Sequence, residues 1–357
     1  MMQPNKTFSP MHISGAGICC SLGMSLTAVD CALRAGLDQF SHSNFTDSKN
    51  ESLRVAQMST EELTGSDRLA KWCALAIDES ITHASHPQKN SPIDLSTTPL
   101  LLLAAERDRP HSNDHFYRDI FSAIQQHTNT DFHENSRIIT SGRAGIGIAL
   151  QLAQQWLVSE PINNIIIAGA DSFLDSATIN HYAGQQRLYT AQNSDGFIPG
   201  EAAAAIIVSR QESSADTTTI LGVGVTQEQR PTNNTAPNRA FELTHALAQA
   251  ITQSSIPYSA YTHRYSDQNG ESSFAREAAH ALTRLGARGL KQLSTQTTAD
   301  CTGEIGAATG PLMLAWASRL SSSVTLGPSI AHLANDDGLR TAIALSASHT
   351  PHREPTL

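Results

Sequence analysis

The sequence lacks any apolar run of the roughly 20 residues that cross a membrane as a helix, so its 357 residues predict no membrane span. Positive charge is also scarce: Lys and Arg total 24 against 33 Asp and Glu, a net charge of −9. Such a chain has no general attraction for a polyanion, so no nucleic acid is expected as a partner. Cysteine is sparse. Cys19, Cys20, Cys31, Cys73 and Cys301 are odd in number and scattered, which gives neither a disulfide framework nor metal-ligand spacing. The opening residues 1–6 precede no apolar signal segment, and a cytoplasmic protein is the expectation. His111, His115, His127 and His133 fall in a polar region without tight ligand spacing, so no metal site is expected. Gly15 and Gly17 suggest a dinucleotide loop, but the third glycine and the later acid are missing. No cofactor is expected.

What the sequence does contain is alternation. Continuous apolar runs at 11–18, 99–105, 136–141, 164–170 and 201–208 read as strands buried on both faces. Helix-like segments stand between them at 26–35 and 145–158. A polar, turn-rich stretch at 211–219 follows, and the pattern then restarts. Residues 220–225 and 341–345 read as strands, 239–256 and 306–320 as helices. The expectation is an α/β protein of two related halves, 1–212 and 217–357, each a mixed sheet between helices. No residue-level internal repeat is visible.

One stretch stands out: Arg137-Ile138-Ile139-Thr140-Ser141-Gly142-Arg143-Ala144-Gly145. It places the Ser141 hydroxyl where a strand turns into a helix, at a site of outward N–H groups and partial positive charge. Acyl-accepting nucleophiles use such turns, yet serine is also a good helix cap. Arg143, in the first helical turn, can hold a carboxylate or phosphate, or pair with a structural acid.

Four further segments, taken in order, give a resemblance to the β-ketoacyl synthases of the thiolase-fold condensing enzymes. The segment 13–23 resembles their N-terminal strand and turn, and 140–145 occupies the place of their nucleophile turn. Ala168-Gly169-Ala170-Asp171-Ser172 is similar to the strand end that follows. Asp195-Gly196-Phe197-Ile198-Pro199-Gly200-Glu201 resembles their Asp-Gly-Phe-x-x-Gly-Glu, and Gly306-Ala307-Ala308 resembles the opening of a late helix. The resemblance implies a thiolase-like fold, an acyl thioester on an acyl carrier protein or coenzyme A as partner, and a homodimer or a heterodimer with a ketosynthase. Fatty-acid or polyketide-type metabolism is the implied setting.

The departures concern the chemistry. The family turn carries cysteine where this chain has Ser141. A helix terminus contributes only about 0.3–2 kcal/mol, or roughly one pKa unit, so a serine there needs a base. His263 is the candidate. In one register of 267–273, Asn269 stands at the first family histidine, with Glu277 at the family's acid; another register uses His263 instead. Gly303 replaces the second histidine, the lysine has no counterpart at 294–298, and 335–340 replaces the glycine-rich phenylalanine loop. Asp267, Asn269, Glu271 and Glu277 form either a polar cluster facing Ser141 or a solvated loop. Asp300 and Glu304 flank the missing histidine as replacement chemistry or caps, and Phe197 and Arg143 are candidate substrate contacts. Three functions follow: acyl transfer or hydrolysis at Ser141, a non-catalytic partner of a condensing subunit, or 3-oxoacyl synthesis by a rearranged site.

Overall fold

The computed structural model describes residues 8–47, 49–58, 64–84, 93–110, 113–211, 217–228, 238–286, 293–323 and 327–347. The first half begins with β1 (Met11–Cys20) and α1 (Leu26–Ala35), then the hairpin β2 (Ser41–Thr46) and β3 (Ser52–Val55). After α2 (Gly65–Ala84) come β4 (Leu100–Ala104), α3 (Asp114–Thr128), β5 (Arg137–Thr140) and α4 (Ile146–Ser159). It closes with β6 (Asn164–Ser172), α5 (Ser176–Gly184) and β7 (Glu201–Ser209). The second half runs β8 (Thr218–Gln227), α6 (Phe241–Ser254), β9 (His263–Ser266), α7 (Ser272–Leu285) and β10 (Ser294–Thr297). It ends with α8 (Ala299–Thr302), α9 (Thr309–Ser323), β11 (Ser329–Ala334) and β12 (Leu339–Ala347). The expected boundary at 212–216 lies outside the described residues.

Ten of these strands form one sheet in the order β10-β9-β11-β12-β8-β1-β7-β6-β4-β5. The order repeats itself about the centre. In the first half β1 and β7 pair antiparallel, β7 and β6 antiparallel, and β6, β4 and β5 parallel. In the second, β8 and β12, β12 and β11, then β11, β9 and β10 repeat that sequence of senses. Within the sheet the halves meet where Met11, His12 and Ile13 pair with Ile220, Thr219 and Thr218.

The duplication reaches individual residues, contrary to the sequence expectation. Ile13-Ser14-Gly15-Ala16-Gly17-Ile18 and Ile220-Leu221-Gly222-Val223-Gly224-Val225 occupy equivalent places on β1 and β8. A Cβ on Gly15 or Gly17 would lie 2.1 Å from the Ser80 or Ala76 carbonyl oxygen of α2. On Gly222 or Gly224 it would lie 2.3 or 1.9 Å from those of Ala250 and Ala246 of α6. These glycines let a helix lie directly on a strand. That is the structural reason for the Gly15-x-Gly17 pattern.

The core has three principal layers of apolar contact. The outer face of the first half packs Trp72, Ile77, Leu100 and Leu102 beneath α2 and α3. The outer face of the second packs Leu243, Leu247 and Ile330 beneath α6 and α7. Between the halves lie α4 and α9, each touching strands of both, with Leu150, Leu312, Met313 and Trp316 in the largest cluster. The five residues of β4 are all buried, as expected for a parallel strand covered on both faces. Among the described residues, no helix is long and apolar enough to cross a membrane.

Candidate functional site

β5 ends at Thr140 and Ser141 follows it at the turn. Gly142 takes φ +53°, and a Cβ there would fall 2.0 Å from Glu106 Oε1. Both the backbone conformation and the close carboxylate therefore require glycine. A single 3-10 turn, Arg143–Gly145, precedes α4. The cap positions are held by Gly142 and Gly145 without side-chain bonds, so Ser141 does not cap the helix.

Among the described residues Ser141 also has no base hydrogen-bonded to its hydroxyl. Asn335 Nδ2 donates to its carbonyl at 2.6 Å, and no imidazole or carboxylate among the described residues hydrogen-bonds its hydroxyl. His263 lies at the other end of its strand. It pairs with Ser329 at the start of β11, whereas Asn335 follows the end of that strand. Six residues at about 3.3 Å each separate Ser329 from Asn335, roughly 20 Å of chain. The His263 Nδ1 instead faces Thr262 Oγ1 at 2.8 Å, and burial lowers its pKa.

Three amides of the turn are already used. Gly142 N donates to Ala104 O at 2.9 Å, and Gly145 N to Gly142 O at 3.1 Å. Ala144 N donates to Asn335 Oδ1 at 2.8 Å. An oxyanion hole needs such donors aimed at vacant space, and these three are not.

Around the turn the expected polar residues meet as a buried ion network, not as a solvated loop. Arg143 pairs with Glu304 through Nη1. Its Nε donates to Ala334 O at 2.6 Å and stands 3.5 Å from Asp267 Oδ2. Its guanidinium lies over the Phe274 ring, 4.4 Å from the centroid. Burial works against its charge, but Glu304 and Asp267 more than offset this and raise its pKa. Asn269 Nδ2 donates to Glu304 Oε2 at 2.7 Å and to Glu271 Oε2 at 3.1 Å. Glu304 Oε1 accepts from Gly306 N at 3.0 Å.

The network continues through Arg187 and Arg109, neither of them a candidate on sequence grounds. Arg187 bonds Glu271 at 2.6 and 2.9 Å and Asp336 at 2.7 and 3.1 Å. Arg340 holds Glu277 at 2.6 and 3.0 Å. Arg109 pairs with Asp171, whose Oδ2 accepts from Ala307 N at 2.8 Å. Burial raises the pKa of Asp171 and of Glu106, with Arg109 opposing in each. Asp171 ends an apolar strand, which was the one local signal for this pair.

Besides His263, two expected residues do not join. Asp300 is exposed on α8 and accepts from Thr297 Oγ1. Phe197 is buried in an aromatic cluster, 5.6 Å from Phe173 and 5.1 Å from Tyr182 between centroids, so it positions a loop and offers no free face. His111 lies outside the described residues. Among the described residues, no group of three His, Cys, Asp or Glu is placed to hold a metal ion.

Asp267 gives the network a pH dependence. Its Oδ2 accepts from Ala334 N at 2.7 Å. Burial, opposed by Arg143, pushes its pKa up to about 6 from 3.8. The folded state then binds more protons than the unfolded one between those values, so stability falls as pH rises through about 4 to 6. Urea unfolding at pH 4.5 and 7.5 is expected to show that fall in wild type and a flatter dependence in Asp267→Asn. His332, 4.0 Å from Asp267, stays neutral because burial drives its pKa down to about 3.

Beside this network opens a cleft of about 1540 Å³, lined in part by Glu106, Thr140, Arg187, Glu271, Glu277 and Asp336. Arg143, Asp267, Asn269 and Glu304 do not line it. They form a sealed layer beside it.

The architecture is a thiolase-like α/β fold, shared with solved β-ketoacyl synthases. A β-ketoacyl synthase from Burkholderia phymatum matches 95% of this chain and 99% of its own at TM-score 0.73 and 13% identity. A chain of a type II polyketide-synthase acyl carrier protein in complex with its ketosynthase, bound to the hexaketide, covers 95% and 99% at TM-score 0.75 and 12% identity. The ishigamide ketosynthase/chain length factor covers 96% and 100% at 0.74 and 12%. No protein-family model matches the sequence, and no curated protein matches it.

Proposed function

We propose that this chain is a non-catalytic ketosynthase homologue that pairs with an active condensing subunit in cytoplasmic polyketide- or fatty-acid-type chain building on acyl thioesters. One observation carries the reading. Arg143, Asn269 and Glu304 neutralise and bond one another where a condensing enzyme keeps histidines for the carbanion and oxyanion. An imidazole donates or accepts a proton near neutrality; a guanidinium locked to a carboxylate does neither. Ser141, with no base hydrogen-bonded to it among the described residues, lacks the activation a serine nucleophile needs. In this reading residues 1–212 carry the vacated turn, 217–357 supply the acids that fill it, and the partner subunit supplies the chemistry. The likeness to a ketosynthase/chain length factor structure supports the pairing.

Intact-protein mass spectrometry tests it. After incubation with hexanoyl and malonyl thioesters of coenzyme A and acyl carrier protein, the expected mass is that of the unmodified chain, with no carbon dioxide released from the malonyl thioester. An acyl adduct present in wild type and lost in Ser141→Ala would restore acyl transfer at Ser141.

A further inference from the structure

Ser141 carries the hydroxyl of the turn, but the position that opens on the large cleft is that of Gly142. Gly142 takes φ +53° and ψ −153°, a conformation strained for any residue with a Cβ. On an elbow between strand and helix, the strained residue is the one whose side chain projects from the tip. A Cβ there would fall on the end of the Glu106 side chain, against Oε1 and Cδ and 2.8 Å from Cγ. Glu106 is half-buried and lines the cleft, so the projecting position faces that space. Ser141 does not line the cleft. Its Cβ lies 3.0 Å from where a Cβ on Gly145 would stand, so its side chain packs against the turn that opens the helix.

Glu106 arrives from a neighbouring strand. β4 runs beside β5 with Ala104 opposite Thr140, and two residues beyond Ala104 the Glu106 side chain enters the space that a side chain at 142 would need. The cations that act on it, Arg109 and Arg143, are each paired with another acid, Asp171 and Glu304. Burial accordingly raises its pKa. A half-buried carboxyl that shares its cations with other acids gains little stability from charge. What it does is fill the gap that glycine leaves at the tip.

We infer that position 142, not Ser141, is the acyl-acceptor place of this turn, and that the Glu106 side chain occupies it as a plug. This rests on the proposed reading of the cleft as the place that receives an acyl thioester. A thioester entering there meets a carboxyl group where a nucleophile would project, and the strand that brings Glu106 closes the site.

Cysteine introduced at the two positions tests it, in the full chain carrying Cys31→Ser to remove the exposed thiol. The thiol of Gly142→Cys combined with Glu106→Ala is expected to be alkylated by iodoacetamide at least about tenfold faster than that of Ser141→Cys, since exposure and a helix N-terminus favour the reactive thiolate. Hexanoyl-coenzyme A should then acylate the first thiol and not the second, the new sulfur–acyl bond forming as the coenzyme thiol leaves with the proton. Equal alkylation at both positions, or alkylation of the first thiol without acylation, would overturn the inference. Gly142→Ala, with and without Glu106→Ala, gives a second readout that needs no reactive thiol. The fall in melting temperature caused by Gly142→Ala should shrink when Glu106 is shortened, because the two positions share one space. An equal fall in both backgrounds would mean that Glu106 is not the plug. These results are separable from the proposed function, which fails only if the wild-type chain itself takes an acyl group or releases carbon dioxide.

Discussion

Replacing Arg143 with methionine is expected to lower stability by about 3–5 kcal/mol at neutral pH, the usual cost of leaving buried charge without its partner. The two carboxylates left behind are Glu304, 5% exposed, and Asp267, 4% exposed. Neither reaches water, and Asn269 cannot supply a positive charge. The loss should be smaller at pH 5 than at pH 8. Without Arg143, which opposes the effect of burial on Asp267, that acid gains its proton more readily still in the folded state, so acid favours the fold. Pairing Arg143→Met with Glu304→Gln should recover part of the loss, because the two positions interact directly. Denaturant midpoints for wild type, both single variants and the double variant at two pH values check this. An unchanged midpoint in Arg143→Met would mean that the network does not hold the turn.

Arg340 carries an effect of similar size by another route. It is fully buried, grips Glu277 with two bonds, and donates to the carbonyls of Asn335 at 2.7 Å and Leu339 at 3.0 Å. Asn335 in turn bonds both sides of the Ser141 turn. Arg340→Met therefore strands a buried carboxylate and frees the loop that clamps the turn, and about 3–5 kcal/mol should be lost. Arg340→Lys keeps the charge but not the planar fork, so it should recover only part. Hydrogen exchange at Ala144 gives a second readout. Its amide, held by Asn335, should exchange faster in Arg340→Met than global destabilisation alone accounts for.

The parts of the fold legible in the sequence were those built from one residue class in an unbroken run. The runs that became β4, β6 and β7 are apolar through their centres, and no partner is needed to recognise a strand buried on both faces. β9 and β10 were not legible. His263-Arg264-Tyr265-Ser266 and Ser294-Thr295-Gln296-Thr297 look like loop, and become strands only by pairing with β11 and with each other. α2, α3 and α7 also went unread, since their apolar stripes are broken by charged and small residues.

The candidate site divides in the same way. The location of the turn was local and readable. The fate of its acids was not, because Glu304 finds its arginine 161 positions away and Glu271 finds its own 84 positions away. A window around Asp267 to Glu271 shows only polarity. Burial of those residues depends on cations that the fold delivers from elsewhere, and an uncompensated acid would have stayed in water. Asp300, with the same local appearance, received no cation and remained on the surface.

The narrow seam between the halves has a consequence for how the chain comes apart. Three residue pairs are too few to bind two autonomous units, yet α4 belongs by sequence to the first half and touches β8 and β12, while α9 belongs to the second and touches β1, β6 and β7. Each half thus lends a helix to the other's interior. Neither can open without stripping cover from its twin, so what looks like a duplicated architecture melts as one cooperative block, with the middle helices among its slowest-exchanging amides.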